Sequence, residues 1–193
     1  MPINNTQPKV DCIIPAAGLS SRMGKWKLML TYKNTTLVES SVSNALKVCS
    51  RVILVVGHRA DEMIECFQHQ PKVKIVRNPN YRQGMLSSIK AGLKQVRSEH
   101  FFVAHADMPC IEAQTYRQLW AARGPGSVFP GTAAQGGHPV LISTPLARRI
   151  ISDAEHQAMK PLLQPYPMTF LNLEQPTIYF DVDTPDDYQR LCR

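Results

Sequence analysis

Cysteine is scarce and unpatterned. Cys12, Cys49, Cys66, Cys110 and Cys192 are odd in number, widely scattered, and form no C-x-x-C pair. That argues against a disulfide framework and a structural zinc site. Aromatics are only 7% of the 193 residues, and no basic run with interleaved aromatics marks a nucleic-acid surface. No apolar run approaches the ~18 residues that span a bilayer. The start MPINNTQPK lacks the basic, apolar and cleavage regions of a secretory leader. Repeats, low-complexity tracts and Gly/Ser-rich linkers are also lacking. The expectation is one domain over residues 1–193, in a reducing cytoplasm, with neither nucleic acid nor membrane as a partner.

What is present is an ordinary globular apolar content, 44%, and an uneven charge. Residues 1–97 carry 15 Lys+Arg against 5 Asp+Glu, while residues 98–193 carry 7 against 10. A basic half suits a polyanion and an acidic half a divalent cation; a nucleotide with its metal satisfies both, and an uneven solvated surface is the bland alternative. Short apolar runs alternate with longer amphipathic stretches, the pattern of a parallel sheet with crossover helices. Strands are expected at Val10 to Pro15, Arg51 to Val56, Lys72 to Val76, Phe101 to His105, Ser127 to Pro130, Pro139 to Ser143 and Thr177 to Asp181. Helices are expected at Leu37 to Val48, Asp61 to Gln68, Met85 to Val96, Glu112 to Ala122, Pro145 to Ile151 and from Thr184 onward, with a loop or short helix at Gln157 to Leu163. The fold class is α/β, a three-layer α/β/α sandwich with a mostly parallel, Rossmann-like sheet.

In such a sheet ligands bind beyond the carboxyl ends of the strands. The segment after the first strand, Pro15 to Lys27, has small residues at Ala16, Ala17 and Gly18 that admit a phosphate to the backbone. Arg22 adds a planar fork and Lys27 a point charge. Neither G-x-x-x-x-G-K-[ST] nor G-x-G-x-x-G occurs there, so neither a Walker loop nor a dinucleotide fingerprint is present. Asp107 closes a buried strand and Asp183 precedes the last helix; taken alone, each reads as a local turn cap. Asn78, Gly84, Ser87 and Ser88 lie at a helix start, where amides and hydroxyls bind ribose, base or phosphate or simply begin the helix. His138, in Gly-Gly-His-Pro, reads as a site or turn residue; His58, His69, His100, His105 and His156 read as structural.

The run A-A-G-L-S-S-R-M-G-x-x-K-L resembles the N-terminal motif of the MobA-like nucleotidyltransferases, particularly their molybdenum cofactor cytidylyltransferase branch. N-P-x-Y-x-x-G-M-x-S-S-I at Asn78 to Ile89, D-M-P at Asp107 to Pro109, G-H-P at Gly137 to Pro139 and D-V-D-T-P-D-D at Asp181 to Asp187 follow in the family's order. The resemblance implies the nucleotidyltransferase type of sheet and transfer of CMP from CTP to the phosphate of molybdopterin or its molybdenum form, with release of pyrophosphate. It implies that Ala16, Ala17, Gly18, Ser20, Arg22, Lys27, Asn78 and Gly84 hold the nucleotide, with Arg22, Lys27 and Asp107 catalytic. It further implies that Asp107 and Asp183 hold magnesium (Mg2+), that Ser87, Ser88 and His138 face the acceptor, and that a molybdenum hydroxylase receives the product.

Three departures stand beside it. Ala106 replaces the family's usual Gly, with His105 adding bulk before it. Arg148 to Pro161 has no G-D-x-G-A-R segment, and the small-residue loop favours CTP over GTP. A GTP-using or sugar-phosphate nucleotidyltransferase and a non-catalytic cofactor carrier are the rival readings.

Overall fold

The computed structural model describes residues 8–20 and 23–193. After their first residues, Asp11 and Arg51, strands β1 (Asp11–Ala16) and β4 (Arg51–Val56) are continuous apolar runs because both faces of each are covered. Between them, β2 (Thr31–Tyr32) and β3 (Thr35–Thr36) form a small hairpin that hands the chain to α1 (Leu37–Leu46). Thr36 caps that helix reciprocally, its hydroxyl accepting from the Glu39 amide while Glu39 accepts from the Thr36 amide. The chain continues through α2 (Ala60–Phe67), β5 (Val73–Arg77), α3 (Met85–Leu93), β6 (His100–Val103) and α4 (Ala113–Ala121). Then follow β7 (Ser127–Pro130), β8 (Val140–Ser143), α5 (Pro145–Ser152), α6 (Met159–Leu163), β9 (Met168–Leu171) and α7 (Pro185–Leu191).

Seven strands make one sheet in the order β5-β4-β1-β6-β8-β7-β9. Only β8 opposes the rest, pairing antiparallel with β6 and β7. Strand alternation divides the core cleanly. Cys12, Ile14, Val52 and Leu54 pack under α1, α2 and α4, while Ile13, Ile53, Val55 and Phe101 pack under α3, α5 and α6. That is the expected three-layer sandwich. Helix α3 lies very close on the sheet because Gly92 has no side chain; a Cβ there would meet Ile13 Cγ2 at 2.7 Å.

Two expectations fail. Thr177 to Asp181 is not a strand: Pro176 opens a 3-10 turn, Pro176–Tyr179, in which only Ile178 is buried. The last strand is β9 instead, at the sheet edge, half-buried and therefore without a clear apolar period. No helix among the described residues is long and apolar enough to cross a membrane.

At the base of the sheet the buried Asp11 carboxylate accepts from Arg51 Nε at 3.0 Å, Arg51 Nη2 at 2.9 Å and the Arg97 amide at 2.7 Å. Removing it by Asp11→Ala leaves the Arg51 guanidinium without that carboxylate. The substitution is expected to cost about 3 kcal/mol of stability, read from the urea midpoint, while nucleotide binding by the folded protein is unchanged. An unaltered midpoint would contradict the bracing role.

Candidate active site

The carboxyl end of β1, the segment after β6 and the turn that follows β5 border a cavity of about 370 Å³. Its floor is the loop after β1: Ala16, Ala17, Gly18 and Ser20 all border it. Gly18 is open to the space around it, and Ser20 adopts φ 54° and accepts from the Met23 amide at 3.0 Å, turning the chain sharply there. The Ala17 carbonyl accepts from the His58 amide at 3.3 Å, which ties the loop to the end of β4. Arg22 lies outside the described residues.

Lys27 begins a 3-10 turn, Lys27–Met29, anchored by buried Leu28. Its ammonium reaches into the cavity and sits 2.6 Å from Asp107 Oδ2 and 2.7 Å from Asp183 Oδ1. Burial opposes the Lys27 charge, but the Asp107 carboxylate and then Asp183 outweigh it, so the group titrates above the ordinary lysine value.

Each carboxylate is held from behind. Ser41 of α1 donates to the Ala106 carbonyl at 3.0 Å and Asn44 to the Pro109 carbonyl at 2.8 Å, bracketing Asp107. The Val182 amide donates to the Asp107 carbonyl at 3.0 Å, so the two acidic segments are stitched together. Asp183 and Thr184 donate their amides to Asp187, which also caps α7; the Thr184 hydroxyl first, with Arg190 and the amides, holds Asp187 down to about 2.

Asp181 completes the rim. Partial burial, then repulsion from Asp183 and Asp107, raises its pKa above the usual carboxylate range. Ala106 packs in the core beneath α1 while bordering the cavity.

A divalent cation fits this donor set. No group of three or more His, Cys, Asp or Glu suited to a metal occurs among the described residues. Asp107 and Asp183 nevertheless converge on one cationic centre, the Lys27 ammonium, with hard oxygens. Two carboxylates with phosphate oxygens and water completing the shell are what a hard divalent ion takes.

Because β8 runs against β6, its amino end lies beside the carboxyl end of β6, with Val103 opposite Val140. This register stacks His138 on His105, ring centroids 3.8 Å apart. Burial, then His105, pushes the His138 pKa down to about 3, so the ring is neutral. His105 is likewise lowered by burial, against the pull of Asp107. His138 Nδ1 is buried without a hydrogen-bond partner among the described residues. Both rings border a second cavity of about 270 Å³, walled by Phe129, Val140 and Met159 and edged by Gln157 and Lys160. The segment that departs from the family pattern thus forms part of this wall.

The other expected residues separate. Gly84, at φ 96°, and Ser88 border the first cavity. Asn78 does not: it is buried behind it, its amide donating to Ser87 Oγ at 2.9 Å and Ser88 Oγ at 3.0 Å while its carbonyl takes the Asn80 amide. Ser87 spends its hydroxyl on the Gly84 carbonyl at 2.8 Å and borders neither cavity. His105, read as structural, is instead part of the wall shared by the cavities. Asp181, Tyr81 and Met85 also border the main cavity and were not singled out; the D-V-D and N-P-x-Y-x-x-G-M runs contained the signal.

Comparison with known proteins agrees with this geometry. The profile of the MobA-like NTP transferase domain matches residues 12–170. The molybdenum cofactor cytidylyltransferase of Escherichia coli (strain K12) is 41% identical over 179 residues, 93% of each chain. A nucleotidyl transferase from Methanothermobacter thermautotroptrophicus superposes with TM-score 0.85 at 22% identity, over 95% of this chain and 96% of that one. A Mycobacterium tuberculosis H37Rv protein, solved in complex with manganese, superposes with TM-score 0.74 at 21% identity, over 96% and 98% of the chains. These two structures share the fold.

Proposed function

From a chain that belongs to the MobA-like NTP transferase domain family, we infer a magnesium-dependent cytidylyltransferase that joins CMP from CTP to the terminal phosphate of molybdopterin or its molybdenum form. The product passes to a molybdenum hydroxylase, and the protein works as one domain in the cytoplasm. The observation that carries this reading is Lys27 bridging Asp107 and Asp183 at the edge of a small-residue loop, in a cavity open at the strand ends. The 41% identical relative supports CTP and the pterin as substrates.

The acceptor phosphate is already an anionic nucleophile, so transfer needs no general base. Its oxygen attacks the α-phosphorus of CTP, a P–O bond forms, and the bond to the β-phosphate oxygen breaks with pyrophosphate leaving. Ala16 to Ser20 offer backbone to the phosphates at close approach. Lys27 and, from the same loop, Arg22 balance the charge gathering on the leaving group. Asp107 and Asp183 would hold the magnesium, which supplies Lewis-acid neutralisation of the phosphate oxygens. Gly84 faces the nucleoside, Asn78 and Ser87 keep their turn rigid, and Ser88 and neutral His138 face the acceptor, the ring without taking a proton.

Incubating the protein with magnesium, molybdopterin and equimolar CTP, GTP, ATP and UTP tests this. The expected product, by mass spectrometry, is the pterin extended by CMP alone. A pterin extended by GMP, or unmodified pterin, would overturn the reading.

A further inference from the structure

We propose that Arg59, through the Trp26 indole that it covers, is a positioning residue for the transfer step: it fixes the turn from which Lys27 reaches the carboxylates. The inference rests on the nucleotidyltransferase reading above. Arg59 and Trp26 border neither cavity, so any effect they have on turnover passes through another residue.

Lys27 needs such support. Its ammonium stands at the end of a flexible four-carbon stem, so the place it can reach is set by the turn that carries it. That turn, Lys27–Met29, has no side-chain cap and is closed by the Met29 amide on the Trp26 carbonyl at 3.4 Å and the Leu30 amide on the Lys27 carbonyl at 3.0 Å. So short a 3-10 turn is held weakly by its own hydrogen bonds. Its anchors are the side chains on either side of Lys27, Trp26 and Leu28, and both are buried.

Trp26 is in turn covered by the residues that follow β4. The His58 ring meets the indole edge to face, with centroids 6.4 Å apart, and the Arg59 guanidinium lies 4.6 Å from the Trp26 ring centroid. Glu62 takes the Nε and Nη2 protons of the same guanidinium, one on each carboxylate oxygen, which leaves the flat face to the indole. The Arg59 backbone is left-handed, at φ 50° and ψ 42°. Glycine takes that conformation freely, whereas a Cβ disfavours it. What arginine adds at this position is therefore its side chain. The His58 amide also donates to the Ala17 carbonyl at 3.3 Å. Residues 58 and 59 thus hold the loop after β1 at both its ends, Ala17 and Trp26, with the cavity lying along it.

Steady-state pyrophosphate release from CTP, with magnesium and molybdopterin, tests the clamp in Arg59→Gly, Trp26→Leu, Trp26→Phe and the Arg59→Gly/Trp26→Leu double variant, each shown folded by its circular dichroism melt. Arg59→Gly relieves the left-handed backbone and is expected to melt close to wild type, yet to lose about tenfold in kcat with KM for CTP unchanged. Trp26→Leu should lose as much. Trp26→Phe keeps a ring beneath the guanidinium and should lose less than about threefold, and the double variant should be no slower than the slower single one. In a Lys27→Met background Arg59→Gly should have no further effect, because the group it positions is gone. A folded Arg59→Gly enzyme with wild-type kcat, a loss confined to KM, or losses that multiply in either double variant would overturn the proposal and leave the cytidylyltransferase reading intact. A wild type that releases no pyrophosphate would overturn both.

Discussion

Lys27→Met is expected to lower pyrophosphate release from CTP by a hundredfold or more, the scale seen when one donor to a developing oxyanion is removed. Stability should respond differently. The variant leaves Asp107 and Asp183 facing each other without the ammonium that sits 2.6 and 2.7 Å from them, and their repulsion lowers the melting temperature in the absence of metal. Magnesium alone should then raise the melting temperature of Lys27→Met more than that of the wild type, whose carboxylates already hold a cation. Turnover should not return with the metal, since the phosphates still lack the lysine. Equal thermal response to magnesium in both proteins, or activity regained at high magnesium, would show that Lys27 is a structural counter-ion and nothing more.

Asp107→Asn and Asp183→Asn should each reduce turnover by about a hundredfold or more and weaken the response to magnesium, because each removes half of the hard-oxygen pair. The two segments are hydrogen-bonded to each other through Val182 and Asp107, so their effects should fall well short of multiplying in the double variant. Asp181→Asn is a useful contrast. Its carboxylate stands exposed at the rim and makes no contact with Lys27 as close as the other two, so a loss below about tenfold is expected. Steady-state rates over a magnesium series measure all three. An Asp183→Asn enzyme with wild-type turnover would leave the metal to Asp107 alone and break the assignment.

The sandwich was legible because its central strands are unbroken apolar runs: Arg51 to Val56 was read to the residue, and β1 was displaced by one. The loop after β1 stood out in the sequence because small residues followed by basic ones come directly after a first strand, and the structure places Ala16, Ala17, Gly18, Ser20 and Lys27 at the cavity. Asp107 and Asp183, 76 positions apart, were paired by the family resemblance alone; the structure brings both carboxylates onto the Lys27 ammonium and joins their segments through the Val182 amide. The His105–His138 stack was hidden for a related reason. It exists because β8 alone runs against the sheet, and strand direction is set by tertiary pairing that leaves no local mark. Asn78 shows the opposite error: a polar residue at a helix start reads as a ligand, yet its amide is consumed by two serine hydroxyls. Edge strand β9 was missed because a half-buried strand has a weak period, and Thr177 to Asp181 was misread because β-prone residues there follow a proline that begins a helical turn.

The most direct measurement of the central claim is pyrophosphate release from CTP and magnesium, with and without molybdopterin, by the wild type and Asp107→Asn. Release that depends on the pterin and falls a hundredfold or more in the variant is the predicted result. Saturable pterin binding with no release from CTP, or release that Asp107→Asn retains, would contradict it.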